Sequence, residues 1–350
     1  MHFPVIATKL LFYLLIFSSY FLFLKKPSSN AILDLSIQED KSVYYFIVNP
    51  ASRSGNGKYV WQKAEKILDQ ENTEYRVYFT SYQGHATELA RDITARGERL
   101  TLIAVGGDGT VNEVLNGIRD FSRVIFGYIP TGSSNDFARC MGLPTDTEAA
   151  VQNVLHPARF DKIDLGLMER NGQKRYFAVS SGCGFDAAVC QEALDSRMKR
   201  LLNRLHLGKL TYAGIALKQI ILCKPVPVTI RLSNGKSRTF PKTYFAAGMN
   251  CFCEGGGLRM APRADVHDGM LDVFVVSRLS KLLIALMLPT AYLGLHTIFP
   301  GIYIYRTRSA QITVSGVLPL HTDGEPCLMK GTVTLSCCPQ ALTLLAAGDK

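Results

Sequence analysis

Gly106-Gly107-Asp108-Gly109-Thr110 sets one carboxylate inside a run of glycines delivered by the nearly all-apolar segment "LTLIAV". Glycine admits positive φ angles and lets main-chain N–H groups close on an anion. A helix predicted to begin near Val111 adds the partial positive charge of its N-terminus. That combination suits phosphate. Asp108 repels a bare phosphate, so it needs a metal or a hydroxyl as partner. The dinucleotide fingerprint is not met, because Gly107-x-Gly109 is followed by Asn112 where the third glycine would stand. Alone, a glycine turn between a strand and a helix serves structure at least as readily as function.

Two further loops change the reading. "NPASRSGNGK" (49–58) and "PTGSSNDFAR" (130–139) are also rich in glycine and small hydrogen-bonding side chains, and each leaves a predicted strand. The first is not a P-loop, since Gly57-Lys58 is followed by Tyr59 rather than Ser or Thr. The elements that position them alternate: strands at 42–48, 75–80, 100–105 and 124–130, with helices at 60–70, 86–94 and 111–118 between them. Apolar strands alternating with helices predict a doubly wound parallel sheet covered on both faces. All three loops then emerge at the C-terminal ends of its strands, the edge where open α/β sheets bind ligands.

Beyond residue 157 the pattern becomes antiparallel. Asn171-Gly172 and Asn234-Gly235 are hairpin signals, and short strands follow, which predicts a β-sandwich domain over 158–350 interrupted by helices at 187–222 and 280–296. Its last residues are candidates to return to the first domain, 43–157. Within it, "LLIALMLPTAYLGL" (282–295) is too short to span a membrane and is predicted to be buried between sheet and helix. Residues 1–26 form a hydrophobic segment and 27–42 a polar linker. Leu10–Leu24 carries no charge and Lys25-Lys26 close it, so a membrane anchor with a cytoplasmic catalytic domain competes with a signal sequence and an over-extended start. The formal charge of +10 suits an anionic surface or substrate. No nucleic-acid signature is present, which sets nucleic acid aside. Nine scattered cysteines without a C-x-x-C pair read as reduced thiols, with Cys251-Phe-Cys253 a pair that could touch a metal.

In this order, "VNPASRSGNGK", "GGDGTVNEVLNG" and "PTGSSNDFAR", with the later "DGMLD" and "DGEP", resemble the diacylglycerol kinase catalytic family, specifically its YegS-like bacterial lipid kinases. The resemblance covers 43–350. It implies ATP bound by the α/β domain, magnesium, and a lipid hydroxyl phosphorylated in a cleft against the β-rich domain. Asn49 and Thr80 match nucleotide-contacting positions. Gly106, Gly107, Asp108, Gly109, Thr110, Val111 and Asn112 match the phosphate-binding loop, and Thr131 the next contact. Glu325 stands at the family's proton acceptor, a role that phosphoryl transfer to an alcohol requires of some base. Asp108 is open to a magnesium-assisting role or to being the base itself. Asp265, Asp268 and the Met270 carbonyl match a structural magnesium site, while Asp-Gly at 268–269 and 323–324 also reads as plain turns. A membrane surface is an expected partner, with the basic stretch 197–218 as one candidate contact, and a homodimer is compatible with the sequence. The alternatives are an enzyme like NAD kinase, which shares Gly-Gly-Asp-Gly, and a non-catalytic nucleotide- or lipid-binding module.

Overall fold

The computed structural model describes residues 43–195 and 208–348. The apolar segment 1–26, the linker 27–42 and residues 197–207 of the basic stretch lie outside the described residues. The first half runs β1 (Tyr44–Val48), α1 (Ser52–Gln70), β2 (Tyr75–Phe79), α2 (His85–Ile93), β3 (Leu100–Gly106), α3 (Asp108–Gly117), β4 (Val124–Pro130), α4 (Asp136–Cys140) and α5 (Thr147–Leu155). These strands pair in parallel in the order β4-β3-β1-β2. Period-2 alternation divides their apolar side chains between two cores. Phe46, Val48, Ile103, Val105 and Ile129 pack with Trp61, Leu68 and Val151 of α1 and α5. Ile47, Leu102, Ala104 and Phe126 pack with Ala86, Val114 and Leu115 of α2 and α3. Both faces are covered, so the strands carry no polar alternation.

The second half contains β5 (Arg159–Arg170), β6 (Gln173–Phe177), β7 (Ser180–Gly184), α6 (Phe185–Asp195), α7 (Gly208–Leu222), β8 (Val226–Leu232), β9 (Ser237–Met249), β10 (Leu271–Ser277), α8 (Lys281–Met287), 3₁₀ turns at Leu288–Leu293 and Leu295–Ile298, β11 (Ile302–Thr307), β12 (Ser309–Thr322) and β13 (Glu325–Ala346). Pairing among these strands is antiparallel. Asn171-Gly172 joins β5 to β6 with both residues left-handed, φ +50° and +78°, as a two-residue hairpin turn requires. At Asn234-Gly235 only the glycine is left-handed, and the hairpin loop spans Ser233–Lys236.

Strand β13 joins the halves. It runs antiparallel to β12 and β5, then pairs in parallel with β4 through Thr343↔Ile125 and Leu344↔Phe126. Leu342 and Leu344 enter the core beneath α2 and α3, and Leu345 the core beneath α1. The strands of the described residues therefore form one connected 13-stranded sheet. The stretch at 282–295 departs from expectation. Ile284, Met287 and Ala291 are buried, but Leu282, Leu286 and Leu293 are exposed. Period 3.6 divides this apolar segment between a buried and an outward face. Among the described residues no helix is long and apolar enough to cross a membrane.

Candidate active site

Parallel register brings the strand ends level: Val48 pairs with Val105, and Val105 with Ile129. The three polar loops consequently meet at one edge. Asn49 donates from Nδ2 to Thr110 Oγ1 at 3.1 Å, and the Ser52 and Thr131 hydroxyls are hydrogen-bonded. Thr131 donates its N–H to Gly106 O at 2.7 Å. Gly107 and Gly132 pass so closely that a Cβ on Gly132 would lie 2.8 Å from the Gly107 Cα. These glycines are thus required for loop-on-loop approach, whatever the loops bind. Thr80 follows β2 beside the same edge, with its N–H on Val48 O.

Helix α3 starts earlier than its apolar pattern indicates, at Asp108 with Gly107 as N-cap. Val111 is its first N–H with a partner within the turn, on Gly107 O. The N–H groups of Asp108, Gly109 and Thr110 open the helix, where geometry provides no intrahelical acceptor. Free N–H groups at a helix start are the donors that an anion would meet there. Thr110, Val111 and Asn112 are buried, so this part of the predicted phosphate loop faces the protein. Asn112 donates to Asp323 Oδ2 and Tyr176 O, each at 2.9 Å, and accepts from the Arg175 guanidinium. Glu113, not singled out from the sequence, accepts from the Gly84 and Ala86 N–H groups at 2.9 and 3.2 Å and so holds the loop that opens α2.

The Asp323-Gly324 segment is indeed a tight turn. Thr322 pairs with Glu325 across it, and φ is +50° and +84° at the two central residues. The turn also aims a carboxylate. Glu325 opens β13 with Oε2 receiving a 2.7 Å hydrogen bond from Gln83 Nε2. A Cβ at Gly109 would stand 2.8 Å from Glu325 Oε1, so the carboxylate lies directly against the opening turn of α3. Asp323 points inward, accepting from the N–H groups of Ala178, Val179 and Ser180 at 2.8–3.0 Å as well as from Asn112. Burial pushes its carboxyl up.

The Asp108 carboxylate reaches across to the next loop. Its Oδ1 accepts from Phe137 N at 3.0 Å and its Oδ2 from Asp136 N at 3.2 Å, which ties α3 to the start of α4. Asp136 in turn accepts from Gly256 N at 2.8 Å and pairs with Arg139 Nη1 at 2.9 Å. Burial first, and then the Asp136 carboxylate, push Asp108 up to about 7; burial raises Asp136 as well. A carboxyl whose folded pKa lies above its unfolded value keeps more protons in the native state. Its contribution to stability is therefore present below pH 4 and lost as pH rises through about 7. Relative to wild type, Asp108→Asn is expected to flatten the fall in unfolding free energy as pH rises across this window. Urea titrations at successive pH values measure it; parallel profiles would contradict the shift.

Asp265, Asp268 and Met270 share one turn, but its carboxylates are turned to cations. Asp265 Oδ1 contacts His267 Nδ1 at 3.1 Å, and Asp268 Oδ2 contacts Arg306 Nη2 at 3.2 Å. Asp161 and Asp265 together push the His267 imidazole up to about 10. Met270 donates its N–H to Asp268 Oδ1. Buried Asp164, missed from the sequence, fastens the turn by accepting from Gly269 N at 2.6 Å and Gln340 N at 2.7 Å. Hard oxygen donors are present, but among the described residues no three acid, His or Cys side chains form a metal-holding group. As arranged, this set does not fit a bound ion. The same holds at Cys253, whose Sγ is hydrogen-bonded at 3.5 Å to that of Cys140 as a pair of free thiols.

Comparison with known proteins gives this geometry its context. Residues 43–168 match the diacylglycerol kinase catalytic domain, and 179–346 match the YegS C-terminal NAD kinase beta sandwich-like domain. YtlR of Bacillus subtilis, a protein named as a lipid kinase, is 30% identical over 289 residues, covering 81% of this chain and 93% of that protein. A diacylglycerol kinase of the same organism is 29% identical over 290 residues, covering 80% and 88%. The crystal structure of a Bacillus anthracis diacylglycerol kinase superposes with a TM-score of 0.64 at 20% identity, covering 87% of this chain and 97% of that one, a likeness of fold. With a parallel α/β half joined through β13 to an antiparallel half, this chain belongs by these sequence matches to the diacylglycerol kinase and lipid kinase family, a family of phosphotransferases.

Proposed function

We propose that the chain transfers the γ-phosphoryl group of ATP, carried as its magnesium complex, to the hydroxyl of a lipid alcohol, with diacylglycerol going to phosphatidic acid as the leading reaction. In that step the lipid oxygen forms the new P–O bond, the bridging β–γ P–O bond breaks, ADP leaves, and Glu325 receives the hydroxyl proton. The observation that carries the reading is the Glu325 carboxylate lying against Gly109, at the opening N–H groups of α3. A proton acceptor and an anion cradle are adjacent, which is the constellation that phosphoryl transfer to an alcohol needs. Asp108 acts as a positioning residue, because its carboxylate is spent on α4. Asn49 and Thr131 do the same for their loops.

Incubating the full chain with γ-labelled ATP and a total lipid extract, with mass spectrometry of the products, tests the reading. A phosphorylated glycerolipid and stoichiometric ADP are expected. Phosphorylation of NAD instead would favour the nicotinamide nucleotide alternative. Protection by ATP with turnover of no lipid would leave a binding module.

A further inference from the structure

Helices α7 and α8 pack through their inner faces, where Ile220, Ile284 and Met287 share one core with Phe245 and Phe274. The Lys281 ammonium, at the start of α8, also donates to Ile221 O near the end of α7. Their outward faces are apolar as well. Leu217 and Ile221 stand at i, i+4 on α7, and Leu282 and Leu286 at i, i+4 on α8; Leu293 and Ile298 continue the surface along the 3₁₀ turns. Four of these six are more than 65% exposed: Leu282 at 71%, Leu286 at 66%, Leu293 at 71% and Ile298 at 77%. Isolated exposed leucines need no explanation, but a concentration of them on two adjoining elements does.

Charge identifies the occupant. No Asp or Glu occurs from 196 to 253, where there are eleven Lys and Arg, or from 273 to 322, where there are four. Register gathers part of this charge at the junction of the two helices. Thr243 pairs with Val226 and with Ser277, so Lys242, Lys224 and Arg278 lie at one end of the sheet, next to Lys281 at the head of α8. An apolar face with a basic rim and no acid in its segments is complementary to an anionic bilayer, into which leucines insert while lysines meet phosphate head groups.

We propose that the outward face of α7, α8 and the following 3₁₀ turns docks on an anionic phospholipid bilayer. This rests on the lipid kinase reading for its purpose, since the acceptor lipid resides in a membrane, but its test does not depend on turnover. Hydrogen exchange of the full chain is measured with and without vesicles of phosphatidylcholine, and of phosphatidylcholine mixed with phosphatidylglycerol. Amides over 214–222 and 281–298 are expected to gain protection with the anionic vesicles and little with the neutral ones. Leu282→Ser/Leu286→Ser/Leu293→Ser/Ile298→Ser should lose that protection and phosphorylate vesicle-borne lipid at least about tenfold more slowly, with ATP binding unchanged. Lys224→Glu/Lys242→Glu should lose only the preference for anionic vesicles. Vesicle binding that leaves both segments unprotected overturns the proposal. So does protection present without vesicles, which would assign the face to a second copy or to the chain's own N-terminal segment. Protection without lipid phosphorylation would count against the kinase reading and leave this surface standing.

Discussion

Glu325→Gln is expected to lower the turnover number by about 10²–10⁴-fold while leaving ATP affinity and the unfolding midpoint close to wild type. The side chain keeps its length and an oxygen for the Gln83 amide, which now donates at 2.7 Å. What it loses is the capacity to take a proton. The N–H groups at the start of α3 are untouched, so binding and chemistry separate. Steady-state kinetics with nucleotide titration measure both terms. Gly109→Ala supplies the geometric control. Its methyl would meet Glu325 Oε1 at 2.8 Å, the far end of a flexible side chain, so the fold tolerates it while the carboxylate must move aside. An active Glu325→Gln enzyme would place the base elsewhere.

Asp323→Ala is expected to cost about 3–5 kcal/mol of stability, read as a shift of the denaturation midpoint. Four donors converge on this buried carboxylate: the N–H groups of Ala178, Val179 and Ser180, and Asn112 Nδ2. Removing it leaves them buried without an acceptor, and Ala must also hold φ near +50°, which Asp and Asn tolerate better. Asp323→Asn keeps the backbone conformation but turns one acceptor oxygen into a donor facing other donors, so about half the loss is expected. Its activity should fall further than its stability, because the same turn that buries Asp323 aims Glu325. A variant as stable as wild type would mean that these donors find water instead.

These two neighbours show how far a sequence speaks about a site. Asp-Gly between two apolar runs announces a hairpin, and it is one; the resemblance to lipid kinases singles out Glu325. Neither says that Asp323 turns inward while Glu325 turns out, because side-chain directions around a tight turn are settled only by what packs on each side of it. Asp108 makes the same point. Its setting among glycines pointed to a metal or a hydroxyl, yet its partners are two N–H groups of α4, 28 and 29 residues away in sequence. Buried Asp164, which fastens the 265–270 turn, carries no local pattern at all, and Asp136 sits in a quoted loop that does not announce its reach to the 254–258 loop.

The alternation of strand and helix, the three polar loops and their common edge were determined by local chemistry: apolar runs, glycine's freedom at φ, and parallel register. The sequence also carried the family, since motifs at fixed spacing survive where overall identity is low. Three matters were decided only by tertiary structure. One is the pairing of β13 with β4, which turns the expected return of the last residues into one continuous sheet. Another is the division of 282–295 into a buried and an outward face. The last is the orientation of each acidic side chain. All three depend on contacts between residues far apart in the chain, whose free energy comes from burial and from satisfying buried donors, and no short-range pattern records that.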